Sequence, residues 1–200
     1  MQRLDDVTSG DEVYGVPCAM GACGIICDTA VFPEPPRSWS IFWEPEFAGR
    51  YGVNGTSPGA ENVLSAALSL GVEKADIFEL DLVDSPRLRE RLKLLADNSS
   101  VQWPGVAGGK YLKGLAFGAS WGMGLADMTA MGEKWDFTVP DEGATGWIDV
   151  MVVTEATNRD PIMRRIAEDY IDFFISAQEQ LEVVVRQLSY IPENSSCANR

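Results

Sequence analysis

The side chains able to do covalent chemistry are few, and the missing types narrow the field. Histidine is absent, which removes the Ser-His-Asp and Cys-His nucleophile systems and the His-rich sites typical of catalytic zinc. Of the four cysteines, Cys18, Cys23 and Cys27 stand five and four residues apart in one apolar stretch, and Cys197 lies near the end. That is not the Cys-x-x-Cys spacing of a zinc or redox site. The three read as buried thiols, which behave as small hydrophobes. A metal site is the competing reading, and a disulfide stays open if the protein is exported. Cys23 or Cys27 could serve an enzyme only with an activating base, and none is evident. More informative are Trp147 and Asp149. Two residues apart on an extended segment, their side chains leave one face together, setting an indole beside a carboxylate. A buried carboxylate is costly unless something cationic meets it. The plainer alternative is a core tryptophan and a turn aspartate.

The rest of the composition fits binding rather than catalysis. Sixteen basic against thirty acidic residues give a net charge of -14, which argues against nucleic acid or an anionic membrane as partner. It is compatible with a cationic ligand, and equally with acidity kept for solubility. With 46% apolar residues in 200, the chain can build a core for one large domain or two small ones. Nineteen Gly and eleven Pro, spread along the chain, suit a loop-rich α/β protein. No apolar run approaches the ~20 residues of a membrane span. The opening Met1–Asp6 has no apolar core of a secretory signal. Sequons at Asn54, Asn98 and Asn194 are too common by chance to establish a glycosylated origin.

The elements that must position these residues alternate in type. Tyr14–Asp28 mixes small and apolar residues and predicts one or two buried strands, with Gly where the backbone bends or passes close to something. After Pro33, Pro35 and Pro36, the aromatic-rich Ser38–Phe47 predicts a short helical turn docked by its rings. Gly49–Gly59 carries loop signals, Asn54-Gly55 and Ser57-Pro58-Gly59. Helices follow at about Ala60–Leu70 and Ser85–Ala96, then a buried strand at Leu115–Gly122 and a helix at Met123–Gly132. Trp135–Pro140 and Trp147–Val153 read as strands. In Pro161–Ser176, Ile162, Ile166, Tyr170, Phe173 and Phe174 repeat at helical spacing, and a shorter helix is expected at Gln178–Leu188. The alternation predicts an α/β architecture.

Five segments in this order carry a resemblance. Val16-Pro-Cys-Ala-Met-Gly-Ala-Cys-Gly-Ile-Ile26 resembles the "VPY-x-W-G-x-x-G-I" strand of spermidine/putrescine-binding proteins. Ser38–Arg50 is similar to their "SWADLW-P-x-Y-KG" segment, and Asp141–Asp149 to their "P-x-EG-x-x-x-W-x-D" turn. Tyr170–Glu179 resembles "INFLL-x-P-E", and Ser189–Asn194 resembles "GYP-x-PN". Together they cover residues 14–194. The resemblance implies a type II periplasmic-binding-protein-like fold, two α/β lobes joined by hinge strands that trap a ligand on closing. On that pattern residues 1–13 are a lead-in. Residues 14–134 hold the hinge strand and a second lobe, complete over about 20–125, and 135–200 return to the later part of the first lobe. The opening of that first lobe and the family's C-terminal tail have no counterpart, so the chain reads as a fragment, a truncated product or a minimal variant.

The resemblance further implies a non-enzymatic, periplasmic or extracellular protein without cofactor, passing a polyamine such as putrescine or spermidine to the membrane subunits of an ABC importer. A flexible diamine needs carboxylates at its ammonium ends and aromatic faces along its stem, each aromatic adding roughly 0.5–2 kcal/mol. Trp147 and Asp149 match the positions that grip one amino end. Trp121 matches another aromatic wall, with core packing as its alternative. Glu61 matches an acidic ligand, with complementing the helix dipole as its alternative. Tyr190, in the "GYP" position, could wall the site or simply pack. The family usually carries an aspartate three residues before that glutamate, where this chain has Pro58. Another ligand (an amino acid, an oligocation or a metal) and an interaction role for a remnant domain are the competing expectations.

Overall fold

The computed structural model describes residues 7–10, 12–56, 60–79, 81, 84–105 and 108–187. Along these the strands are β1 Thr8–Ser9, β2 Glu12–Val13, β3 Val16–Ala22, β4 Gly24–Asp28, β5 Tyr51–Asn54, β6 Val101–Trp103, β7 Phe117–Ser120, β8 Trp135–Thr138 and β9 Gly146–Met151. The helices are α1 Ala60–Ser69, α2 Pro86–Asn98, α3 Gly109–Leu112, α4 Met123–Ala130, α5 Glu155–Asn158, α6 Pro161–Phe174 and α7 Ala177–Glu179, the last running into a π-helical stretch Gln180–Gln187. The chain divides into two units, Ala22–Gly146 and the pair of segments 1–21 and 147–200.

In the unit Ala22–Gly146 a five-stranded mixed sheet runs in the order β6-β5-β7-β4-β8. Strand β5 is parallel to β6 and β7, while β4 is antiparallel to β7 and β8. Both faces are covered, as the period of two along β4 shows. Cys23, Ile25 and Cys27 enter the larger core with Tyr51, Phe117, α1 and α2, whereas Ile26 enters the smaller one with Trp103, Leu112 and Met128. Phe117 is the hub of the larger core. Its ring centroid lies 4.9 Å from Phe42, 5.4 Å from Phe47, 5.4 Å from Tyr51 and 5.7 Å from Phe32. Ser38–Phe47 does dock by its aromatics, as two 3₁₀ turns that bury Trp39, Phe42 and Phe47.

Two strands here were not expected, one of them running through a segment with loop signals. Within Gly49–Gly59, β5 occupies the second position of the sheet, and β6 follows α2. Gly52 on β5 faces Gly118 on β7, and Trp103 lies over both. A Cβ built on Gly52 would fall 2.2 Å from the Trp103 ring, and one on Gly118 would fall 2.8 Å from it. The glycines clear a flat seat for a fully buried indole rather than marking a turn.

The unit formed by 1–21 and 147–200 is thinner. Strands β1 and β2 pair antiparallel, and β3 pairs with β9 in a two-stranded sheet. Helix α6 begins as its sequence dictates. The Asp160 carboxylate accepts from the amides of Ile162 and Met163 at 2.9 and 3.2 Å, and Pro161 fills the first turn. Gln180 is fully buried, its Nε2 donating to the carbonyls of Cys18 at 2.9 Å and Phe174 at 3.1 Å. The apolar repeat of α6 behaves differently from the expectation for an amphipathic helix. Ile162 is 73% exposed and Ile166, Tyr170 and Phe173 are all more than half exposed. Ala167, Glu168, Ile171 and Phe174 are the half-buried positions.

Candidate functional site

The candidate residues fall on both units, so each group is described on its own. In the thinner unit, β9 presents Trp147 and Asp149 at alternate positions. Trp147 is half-buried and lies against Gly21 of β3, where a built Cβ would fall 2.8 Å from Cζ2 and 2.9 Å from Nε1 of the indole. The main-chain carbonyl of Asp149 accepts from the Cys18 thiol at 3.3 Å. Its carboxylate is exposed and has no ion-pair partner among the described residues. The expectation of a buried, costly Asp149 is therefore corrected: solvent already stabilises this charge. What the strand offers is an available carboxylate two positions from an indole held on one face.

A cavity of about 360 Å³ also belongs to this unit. It lies between Val13, Val16 and Met151 on one side and Arg164, Glu168 and Asp172 on the other, and neither Trp147 nor Asp149 lines it. Arg164 is paired with Glu168 one helical turn on, Nε to Oε1 at 2.8 Å.

In the unit Ala22–Gly146 the acidic candidate is built differently. Glu61, in the first turn of α1, is only 8% exposed. Its Oε1 accepts from Asn54 Nδ2 at 2.5 Å. Asn54 ends β5 and is itself fixed: its Oδ1 accepts from the Thr56 amide at 2.9 Å and the Thr56 hydroxyl at 3.0 Å, and its carbonyl accepts from Asn62 Nδ2 at 2.6 Å. The Asn54-Gly55-Thr56 triplet thus forms a side-chain turn that orients a buried carboxylate. Asn54 carried only a loop and sequon signal in the sequence. A glutamate seven residues on, at the start of a helix, was the available hint that it had a partner.

Burial and the nearby Glu61 charge push the Cys23 thiol far up, and burial with Asp136 and Asp28 pushes Cys27 to about 11. Cys18, Cys23 and Cys27 are all buried, and Cys23 and Cys27 are free thiols, which suits the small-hydrophobe reading. Among the described residues no cluster of three potential metal-ligating side chains occurs.

Trp121 follows β7 and is half-buried against the larger core, so it both packs and keeps an open part. The turn after it needs Gly122, whose φ of +86° lies in the left-handed region and leads into α4. Neighbouring Ser120 is buried and its hydroxyl has no partner among the described residues. The Asp141–Gly146 turn is tied to the aromatic segment by an Arg37–Asp141 ion pair, by the Ser38 hydroxyl donating to Glu142, and by Trp39 Nε1 donating to the Gly143 carbonyl at 2.7 Å. Two segments that carried the resemblance therefore meet within one unit. Tyr190, Pro58, Cys197 and Asn194 lie outside the described residues, as does Leu188 at the end of the expected Gln178–Leu188 helix.

Comparison with known proteins gives this geometry a family. The family described as Bacterial extracellular solute-binding protein matches residues 2–196; it is a family of binding proteins, not of enzymes. No protein with a curated description matches the chain. Solved structures do. The spermidine/putrescine ABC transporter substrate-binding protein PotD of Streptococcus pneumoniae is 19% identical with a TM-score of 0.72, over 92% of this chain and 55% of its own. A structure described as the Atu4243-GABA receptor is 24% identical with a TM-score of 0.70, over 98% and 58%. The binding protein AgtB of Agrobacterium tumefaciens, solved with agropinic acid, is 19% identical with a TM-score of 0.66, over 96% and 60%. At these identities the likeness shows the fold, the mixed α/β fold of periplasmic binding proteins. The chain spans little more than half the length of these relatives.

Proposed function

The chain belongs to the bacterial extracellular solute-binding proteins, and from that premise we propose that it captures a small cationic solute, of the polyamine class, outside the cytoplasm for delivery to the membrane subunits of an ABC importer. The observation that carries this reading is the placement on β9 of an exposed Asp149 carboxylate, without an ion-pair partner among the described residues, two positions from the Trp147 indole. An ammonium group is met by charge-assisted hydrogen bonds from the carboxylate. The indole covers the methylene stem and attracts the charge through its ring face. Glu61, held by Asn54, and the half-buried Trp121 are the corresponding candidates in the other unit; Tyr190 is a further one. The net charge of -14 favours encounter with a cation.

A zwitterionic amino acid is the second reading. It is favoured by Pro58 standing where a second carboxylate would serve a diamine, and by a GABA receptor among the similar folds. A thermal-shift panel of putrescine, spermidine and γ-aminobutyrate at matched ionic strength separates them. The polyamine reading expects stabilisation by the two amines and none by the amino acid. The reverse result replaces it with the second reading, and no shift with any of the three removes both.

A further inference from the structure

The close approach of Gly21 to Trp147 has a functional consequence. On the paired strands β3 and β9, the indole lies so near the Gly21 backbone that a Cβ there would stand 2.8 Å from Cζ2, 2.9 Å from Nε1 and 3.0 Å from Cε2. Three mutually bonded ring atoms at nearly equal distance mean that the rigid N–H edge of the bicyclic system, rather than one flexible end, lies against this residue. Carbon atoms in contact settle at about 3.5–4.0 Å, so any side chain at this position displaces the ring by about 0.7 Å or more. The backbone of Gly21 shows no positive φ, unlike Gly122 at +86°, so conformational freedom is not what calls for glycine here. The space beside the indole edge is.

We infer that Gly21 is a positioning residue for ligand capture: its missing side chain is the seat that fixes Trp147 at the height and tilt from which, beside Asp149, it meets a cationic solute. The claim rests on Trp147 being a ligand contact. It adds that the affinity of this contact is set from the neighbouring strand, by a residue that touches no ligand. Even a methyl at position 21 lifts the ring away from its place beside Asp149, and van der Waals and cation–π attraction both fall steeply with such a shift.

The test uses the full chain and the variants Gly21→Ala, Trp147→Phe and the double variant, with putrescine as probe. One readout needs no ligand: the indole N–H signals in a ¹H–¹⁵N spectrum, where Trp147 is assigned by its loss in Trp147→Phe. Gly21→Ala is expected to move the Trp147 signal and leave the other five tryptophans in place. In titration calorimetry it is expected to weaken putrescine about tenfold, while adding less than about twofold in the Trp147→Phe background, where the smaller ring leaves room. If Gly21→Ala fails to fold, Trp147→Phe restoring the fold supports the seat, and failure of both variants to fold alike overturns it. An unmoved Trp147 signal overturns the seat, as does a normal putrescine affinity of Gly21→Ala beside a weakened Trp147→Phe. A loss of the same size in both backgrounds also overturns it, because that marks a general structural role. A wild-type chain that does not bind putrescine, or a Trp147→Phe variant that binds as well as wild type, is a different failure. It removes Trp147 as a ligand contact, and the seat's functional role with it.

Discussion

The two units of this chain solve the same problem, burying one face of a strand, to very different depths. In Ala22–Gly146 a five-stranded sheet is covered on both faces, and Phe117 touches aromatic rings from the segments before, within and beside the sheet. In the unit of 1–21 and 147–200 the sheet is two strands, and α6 turns Ile162, Ile166, Tyr170 and Phe173 to solvent. A two-stranded ribbon is marginal by itself in water, so among the described residues the larger apolar core belongs to the first unit. The candidate contacts follow this division. Glu61 is built into a satisfied, buried network, whereas Trp147 and Asp149 stand on the thin unit, where small changes of support translate into changes of position.

The sharpest way to break this comparison is to remove one apolar side chain from each side. Phe117→Ala leaves a cavity at the hub and is expected to cost about 3–5 kcal/mol in urea unfolding. Ile162→Ala, on the outward face of α6, is expected to change stability by less than about 0.5 kcal/mol. Comparable losses would mean that the α6 face is covered in solution. Hydrogen exchange asks the same question of the backbone: amides of β4, β5 and β7 should exchange only on global opening, and those of β3 and β9 orders of magnitude sooner.

Two buried thiols of the thicker unit give a pH signature. Cys27 titrates near 11 when folded against 9.0 for an ordinary thiol. The folded state therefore holds a proton that the unfolded state releases, and stability falls as pH rises from about 9 to about 11. Cys27→Ala should flatten that fall in a series of urea unfolding curves. At neutral pH both Cys23 and Cys27 should resist iodoacetamide until denaturant is added. The smallest effects belong to the surface ion pairs between Lys93 and Asp97 and between Arg159 and Glu155, each one helical turn apart and widely exposed. Replacing Lys93 or Arg159 by Ala should cost at most about 0.5 kcal/mol, and less in high salt.

What the sequence revealed and what it hid follow from the same physics. Helices α1, α2 and α6 were legible because apolar spacing, caps such as Ser85 and Asp160, and a first-turn Pro act locally. Strands β5 and β6 were not. Each lasts four or three residues and is parallel to its neighbour, and such strands lose the alternation that marks a half-exposed one. Gly52 lies in a stretch with loop signals, and only its contact with Trp103 shows what the glycine is for. The apolar repeat of α6 told which side chains share a face, but periodicity carries no information on what that face meets. At the candidate site, Trp147 and Asp149 could be paired by their spacing alone. The exposure of Asp149, the seat at Gly21 and the grip of Asn54 on Glu61 arise from residues distant in sequence or from a glycine, which leaves no side-chain signal.

Most directly at stake is whether the Asp149 carboxylate meets a cation. Titration of the chain with putrescine, repeated for Asp149→Asn and for Asp172→Asn, removes the same charge from the same unit at two exposed places. The account predicts saturable binding that weakens at least about tenfold in Asp149→Asn, as expected for a lost charge-assisted contact, and stays within about twofold of wild type in Asp172→Asn. Equal affinities in all three proteins, or no saturable heat at millimolar putrescine, would contradict it.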